Sequence, residues 1–154
     1  MNLKVLAVGS KPPDWVKSGV AVYANRLPSN LKFELLEIPP SKHNRDAQKF
    51  VKEEGDRILA KVDRRDWMVV LDERGKSYDS PGLAERLAFW QLQGSDIVFT
   101  VGGSDGLSAA VKERANETLS LSPLTLPHHL VKVVLAEALY RAWSINNNHP
   151  YHRG

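Results

Sequence analysis

The chain has no cysteine among its 154 residues. That excludes a disulfide framework, a thiolate metal site and a cysteine nucleophile. It also lacks a long apolar run: no stretch reaches the ~20 residues needed to span a bilayer. The N-terminal segment MNLKVLAVGSKPPDW breaks its short apolar run at Gly9 and has no signal-peptide layout. No internal repeat or low-complexity tract interrupts the chain. The expectation is one cytoplasmic domain over residues 1–154, with no membrane partner.

Several catalytic signatures are missing as well. No Gly-x-Ser-x-Gly elbow offers a serine nucleophile. Gly75-Lys76-Ser77 resembles the end of a phosphate-binding loop, but that loop would need a glycine where Val70 stands. The tripeptide therefore reads as a turn after a strand. The run Val101 to Leu107, VGGSDGL, has glycines at 102, 103 and 106, which is not the dinucleotide-binding spacing. His128, His129, His149 and His152 invite a metal reading, but Pro150 breaks the facing of the last two and no acidic residue lies in the tail. No metal is expected.

What is present is ordinary in bulk and informative in order. Hydrophobic residues make up 42% and charged residues 25%, with a net charge of +3. A mild basic excess is compatible with a polyanionic partner and equally with a merely basic surface. Apolar runs alternate with amphipathic stretches. Strands are expected over Leu3–Val8, Phe33–Ile38, Met68–Leu71, Ile97–Val101 and Leu119–Leu121. Between them, helices are expected from Asp14 to about Leu27, from Asp46 to Lys61, from Ser80-Pro81 to Gln93, and from Ser108 to Ala115. Asp14 and Ser80 read as N-caps. A long helix follows from about His128 to Asn146. Such alternation predicts an α/β domain with a mainly parallel sheet and helices on both faces.

The last helix is apolar around nearly its whole circumference, Lys132, Glu137, Arg141 and Ser144 excepted. A helix of that kind must be covered on all sides. In so small a domain the sheet covers one face, which points to a homodimer with this helix at the interface. The alternative is cover by another helix of the same chain.

Two loops stand where ligands bind in such sheets, at the carboxyl ends of strands. One is VGGSDGL; the other is SLSPLTLPHH, Ser120 to His129. Glycines open the first to close approach, and leucines flank the second, so the two read as walls of one pocket. The tail NHPYHRG concentrates stacking, phosphate-pairing and proton-transfer groups around a stiffening proline. It is a functional tail, or Tyr151 packs back on the domain.

These stretches resemble, from end to end, the bacterial 23S rRNA pseudouridine-N3 methyltransferases of the SPOUT superfamily. The resemblance is carried by AVGSKPPDW (Ala7 to Trp15), FELLEIP (Phe33 to Pro39), VVLDERGK (Val69 to Lys76), VGGSDGLS, SLSPLTLPHHLVKVVLAEALYRAWSI and NHPYHR. The segment Leu119 to Arg153 is the most specific. Ser104-Asp105 stands where relatives often carry Pro-Glu.

The resemblance implies a C-terminal trefoil knot, an obligate dimer, and S-adenosylmethionine as methyl donor without a metal. It implies a donor site made of Leu71, Gly102 and Gly103, with the loop Leu121, Ser122, Pro123, Leu124, Thr125 and Leu126 wrapping the adenine. The acceptor would be N3 of a pseudouridine in 23S rRNA of the assembled ribosome. Tyr151, His152 and Arg153 are then the candidate catalytic residues: Tyr151 to stack, His152 to take the imide proton, and Arg153 to stabilise the anion or hold a phosphate. The RNA surface would use Lys11, Lys17, Arg26 and Arg141. Rival readings are a non-catalytic ribosome-associated factor, another nucleotide-binding enzyme, and a methyltransferase for a different nucleotide.

Overall fold

The computed structural model describes residues 1–9, 11–40, 46–102 and 106–153. Elements follow in the order β1 (Asn2–Val8), α1 (Asp14–Ala24), β2 (Lys32–Ile38), α2 (Ala47–Ala60), β3 (Trp67–Ser77), α3 (Ser80–Gln93), β4 (Ile97–Val101), α4 (Ala109–Arg114), β5 (Glu117–Ser120) and α5 (His128–Asn146). A 3-10 turn, Pro150–Arg153, ends the described chain. The strands form one five-stranded sheet in the order β2-β1-β4-β3-β5, and every pairing is parallel.

Alternation along the strands sorts side chains into two cores. Leu3, Val5, Ala7, Val69, Ile97, Phe99 and Leu119 join α1, α3 and α5 on one face. Leu6, Val8, Ile38, Met68, Val70 and Val98 pack with Ile58 of α2 and Val111 of α4 on the other. β1, β2, β3 and β4 thus contribute to both cores, as strands inside a parallel sheet do, whereas the edge strand β5 contributes Leu119 to the first core.

Four local expectations change. α1 starts after Pro13, and Asp14 makes no side-chain cap, being the first helical residue. α3 is capped by Asp79, whose Oδ1 accepts the Gly82 N–H at 2.8 Å. Ser80 and Pro81 lie inside its first turn, which suits a proline because that turn's N–H groups have no helical acceptor. The Gly75-Lys76-Ser77 turn is not a turn. β3 bulges after Leu71 and rejoins β5, where Lys76 pairs with Leu119 and Ser77 with Ser120. The bulge needs its glycine: a Cβ on Gly75 would lie 2.9 Å from the Thr118 carbonyl.

The fourth change concerns α5. It lies against both α1 and α3, which form two interfaces with it. No residue from His128 to Ile145 is exposed. Lys132 and Ser144, expected as polar exceptions, are fully buried. Lys132 Nζ is held by Glu37 Oε1 of β2 at 3.0 Å, and Ser144 Oγ donates to the Arg141 carbonyl at 2.8 Å. Helices of the same chain therefore account for much of the all-round apolarity, and the helix pattern alone does not require a second copy.

Gly75→Val is expected to cost about 1–3 kcal/mol by forcing β3 away from β5. Urea unfolding reads this as a lower midpoint; a wild-type midpoint would contradict the close approach.

Candidate functional site

The second loop acquires its meaning from the strand order. β5 is an edge strand, whereas α5 starts beside β1. A Cβ on Gly9, just past β1, would lie 3.2 Å from the His128 imidazole. Residues 121–127 must therefore cross the carboxyl ends of β3 and β4. Three strand spacings make that crossing about 14 Å.

Beneath the crossing lies a cleft of about 670 Å³, a size typical of small-molecule sites. Leu71, Gly102, Leu121, Ser122, Leu124, Thr125 and Leu126 line it, so the two loops and the end of β3 do meet. Pro123 is not among the lining residues, and Gly103 lies outside the described residues. Gly102 has no room for a side chain: a Cβ there would be 2.9 Å from Leu107 Cγ.

Polar contacts fix the crossing. Ser122 Oγ accepts the Leu124 N–H at 2.9 Å, and Ser120 Oγ donates to the Ser122 carbonyl at 3.0 Å. Thr125 Oγ1 donates to Glu73 Oε2 at 2.6 Å, tying the crossing to the β3 bulge. Local hydroxyl-to-backbone bonds of this kind set a loop without secondary structure.

The cleft has further, charged and polar walls. They include Asp72, Glu73, Arg74, Lys112 and His128. The Arg74 backbone N–H donates to Asp72 Oδ1 at 2.9 Å, and the Arg74 side chain adds longer contacts. Those bonds hold the Asp72 carboxyl below its usual range, in the order backbone then side chain. His128 is pushed down by burial and then by the Lys132 and His129 charges. Its Nε2 is buried with no hydrogen-bond partner. The imidazole at the start of α5 is thus held neutral, next to the end of β1. The sequence signals are the strand end with the bulge sequence DERGK and, for His128, the loop Ser120 to His129; Lys112 reaches the cleft only through tertiary packing.

The tail lies elsewhere in the chain. Asn148 adopts a left-handed conformation (φ 54°) and turns the chain back after α5. Tyr151 then packs on Tyr140 with ring centroids 4.6 Å apart, under the Arg141 guanidinium at 5.0 Å. Its hydroxyl donates to Glu137 Oε1 at 3.1 Å, and Arg141 Nε donates to the same oxygen at 2.8 Å. Burial and the Glu137 carboxylate push the Tyr151 phenol up to about 12, which keeps it a donor. His152 Nδ1 is buried without a partner, and Arg153 is exposed. Tyr140 stands 12 residues beyond His128 on α5, about 18 Å along the helix axis. None of Tyr151, His152 and Arg153 lines the cleft of its own chain.

Of the basic residues expected at an RNA surface, Lys11, Lys17 and Arg26 are exposed. Arg141 is half-buried and engaged by Glu137. Among the described residues no group of three or more histidines and carboxylates is placed to hold a metal ion. No described helix is long and apolar enough to cross a membrane.

Residues 1–152 match the family described as "Predicted SPOUT methyltransferase". The match spans nearly the whole chain, and the chain belongs to that family. Among solved structures, the chain is similar to the SpoU methyltransferase AviRb from Streptomyces viridochromogenes, determined with its cofactor AdoMet. The identity is 14% and the TM-score 0.46, over 90% of this chain. The chain spans 57% of that protein's length.

The neutral histidine predicts a pH response. The unfolded chain binds a proton at His128 near 6.5, whereas the folded chain resists it. Stability is therefore present above that value and declines as pH falls through the lower folded value. The urea midpoint is expected to drop between about pH 7 and pH 5.5, and to drop less in His128→Gln. Equal slopes for both proteins would contradict this assignment.

Proposed function

We propose that this chain methylates N3 of a pseudouridine in 23S rRNA of the assembled ribosome, as a homodimer, with the methyl donor in the cleft beneath residues 121–127. The observation that carries this reading is the cleft itself: the residues of the family resemblance, Leu71, Gly102 and the Leu121–Leu126 loop, come together around one volume of ligand size. The fit to an adenosyl ligand is physical. Leucines supply apolar walls for a flat base, loop backbone supplies groups to read its edge, and Gly102 leaves a wall without a side chain. The crossing of residues 121–127, followed by α5, is also where the trefoil knot of the resemblance would form.

When bound, S-adenosylmethionine supplies a methyl group activated on a sulfonium and departs as a neutral thioether. The chain's own task is to place the acceptor and remove its imide proton. His152 is the proposed base, supported by its unpartnered ring nitrogen. Arg153, which is exposed, would hold the developing imide anion or a phosphate. Tyr151 stays protonated and anchors the tail through Glu137.

The position of the tail supports its serving the cleft of a second copy. The tail sits about a helix length from the cleft of its own chain. A second copy, related by a two-fold axis, supports the dimer by bringing its tail to this cleft. Trp15 and Val22, seven residues apart on one face of α1, are 55% and 45% exposed and offer apolar surface for it. Lacking a long RNA-binding surface, the dimer would take its remaining specificity from the ribosome's preformed shape.

Two experiments test this. In a strain lacking the gene, mass mapping of 23S rRNA is expected to show one pseudouridine without its methyl group, restored by the gene; a fully methylated rRNA would sink the acceptor assignment. His152→Ala is expected to slow methyl transfer by roughly 10²-fold or more, with donor affinity unchanged. Mixing that variant with one disabled only in the cleft should recover activity through hybrid dimers. If His152→Ala methylates at the wild-type rate, the catalytic tail is wrong.

A further inference from the structure

One wall of the cleft carries two opposite charges that are not paired with each other. Asp72 sits on the β3 bulge and Lys112 on α4, and both line the cleft. The Lys112 charge reaches Asp72 and favours its ionised form. Yet no ion pair joins them, and the Lys112 side chain has no hydrogen-bond or ion-pair partner among the described residues. Asp72 is oriented instead by Arg74, with only the backbone contact short at 2.9 Å and the guanidinium contacts at 3.4 Å. A carboxylate has about four lone-pair positions, so Asp72 retains acceptor capacity facing the cleft.

The rest of the lining is of a different character. Val8, Val101, Leu107, Leu121, Leu126 and Val131 make the remaining walls mainly apolar. The cleft is therefore divided: an apolar part suited to a flat ring system, and a charged part in which Glu73 is taken up by Thr125 and Arg74 by Asp72, leaving the remaining acceptor capacity of Asp72 and the Lys112 ammonium for a ligand. An α-amino acid zwitterion has the complementary pair, an ammonium for the carboxylate and a carboxylate for the lysine, on a single carbon.

We propose that Asp72 and Lys112 bind the amino-acid end of the methyl donor, Asp72 through its ammonium and Lys112 through its carboxylate. Holding that end against the β3 bulge orients the donor along the cleft. This rests on the cleft being the donor site and adds which end of the donor lies where. It also gives the bulge a purpose: an unbulged β3 would pair on past Leu71 and would not offer Asp72 to the cleft.

The test uses the intact chain and three ligands, titrated calorimetrically. S-adenosylhomocysteine has both charged groups, decarboxylated S-adenosylmethionine lacks the carboxylate, and 5′-methylthioadenosine lacks both. Lys112→Met is expected to weaken S-adenosylhomocysteine on the order of tenfold while leaving the other two unchanged. Asp72→Asn is expected to weaken the two ligands that carry an ammonium and to leave 5′-methylthioadenosine unchanged. Retention of 5′-methylthioadenosine binding shows that the cleft is still folded. If either variant weakens all three ligands alike, or Lys112→Met binds S-adenosylhomocysteine as the wild type does, the assignment is overturned. If the wild-type chain binds none of the three, the donor-cleft reading falls, and this assignment with it.

Discussion

The structure depends on one constraint: the chain must travel from β5, at one edge of the sheet, to the start of α5 beside β1. The path between them has only seven residues, 121–127, and crosses the ends of β3 and β4. Everything that makes a site follows from it. The crossing roofs the carboxyl ends of the central strands and turns an open crevice into a cleft. Its fastenings are specific. Thr125 holds Glu73 on the β3 bulge, Ser122 holds the backbone of Leu124, and α5 is pinned at its start by His128 against Gly9 and by Lys132 on Glu37. The Lys132–Glu37 pair is notable because the ammonium is fully buried. Removing one partner of such a pair leaves the other uncompensated, so it couples the path of α5 to the end of β2.

The same crossing sets the position of the tail. Because α5 starts at the cleft and runs away from it, the chain end emerges far from the cleft that its own loop encloses. Asn148 folds it back onto Tyr140, Glu137 and Arg141, where Tyr151 is stacked and hydrogen-bonded. Cleft-lining residues and tail residues are thus separated within one chain. In the proposed dimer they would meet between chains, and the methyl donor and the proton acceptor would come from different copies.

The alternation of strands and helices was legible in the sequence because β1 to β4 carry residues for two cores and each helix for one. The bounds of α5, His128 to Asn146, follow from its apolar continuity between Pro127 and the asparagines. The bulge in β3 was not legible. Gly75 reads locally as a turn, and only the approach of Thr118 from β5 shows that it continues the strand. Cover for α5 stayed open between a second copy and helices of the same chain for a related reason: periodicity shows that a face is apolar, but not which neighbour buries it. Within the cleft, the glycine and leucine loops announced themselves by composition. Asp72 was legible as a strand end and His128 as the close of the second loop, whereas Lys112 was not, since its short helix meets the cleft only in three dimensions.

The central claim is that the volume beneath residues 121–127 holds the methyl donor. A crystal structure of the chain with S-adenosylhomocysteine tests it most directly. The account predicts adenosyl density between Leu71, Gly102 and the Leu121–Leu126 loop. Well-defined ligand density elsewhere on the protein, or an empty cleft at saturating ligand, would contradict it.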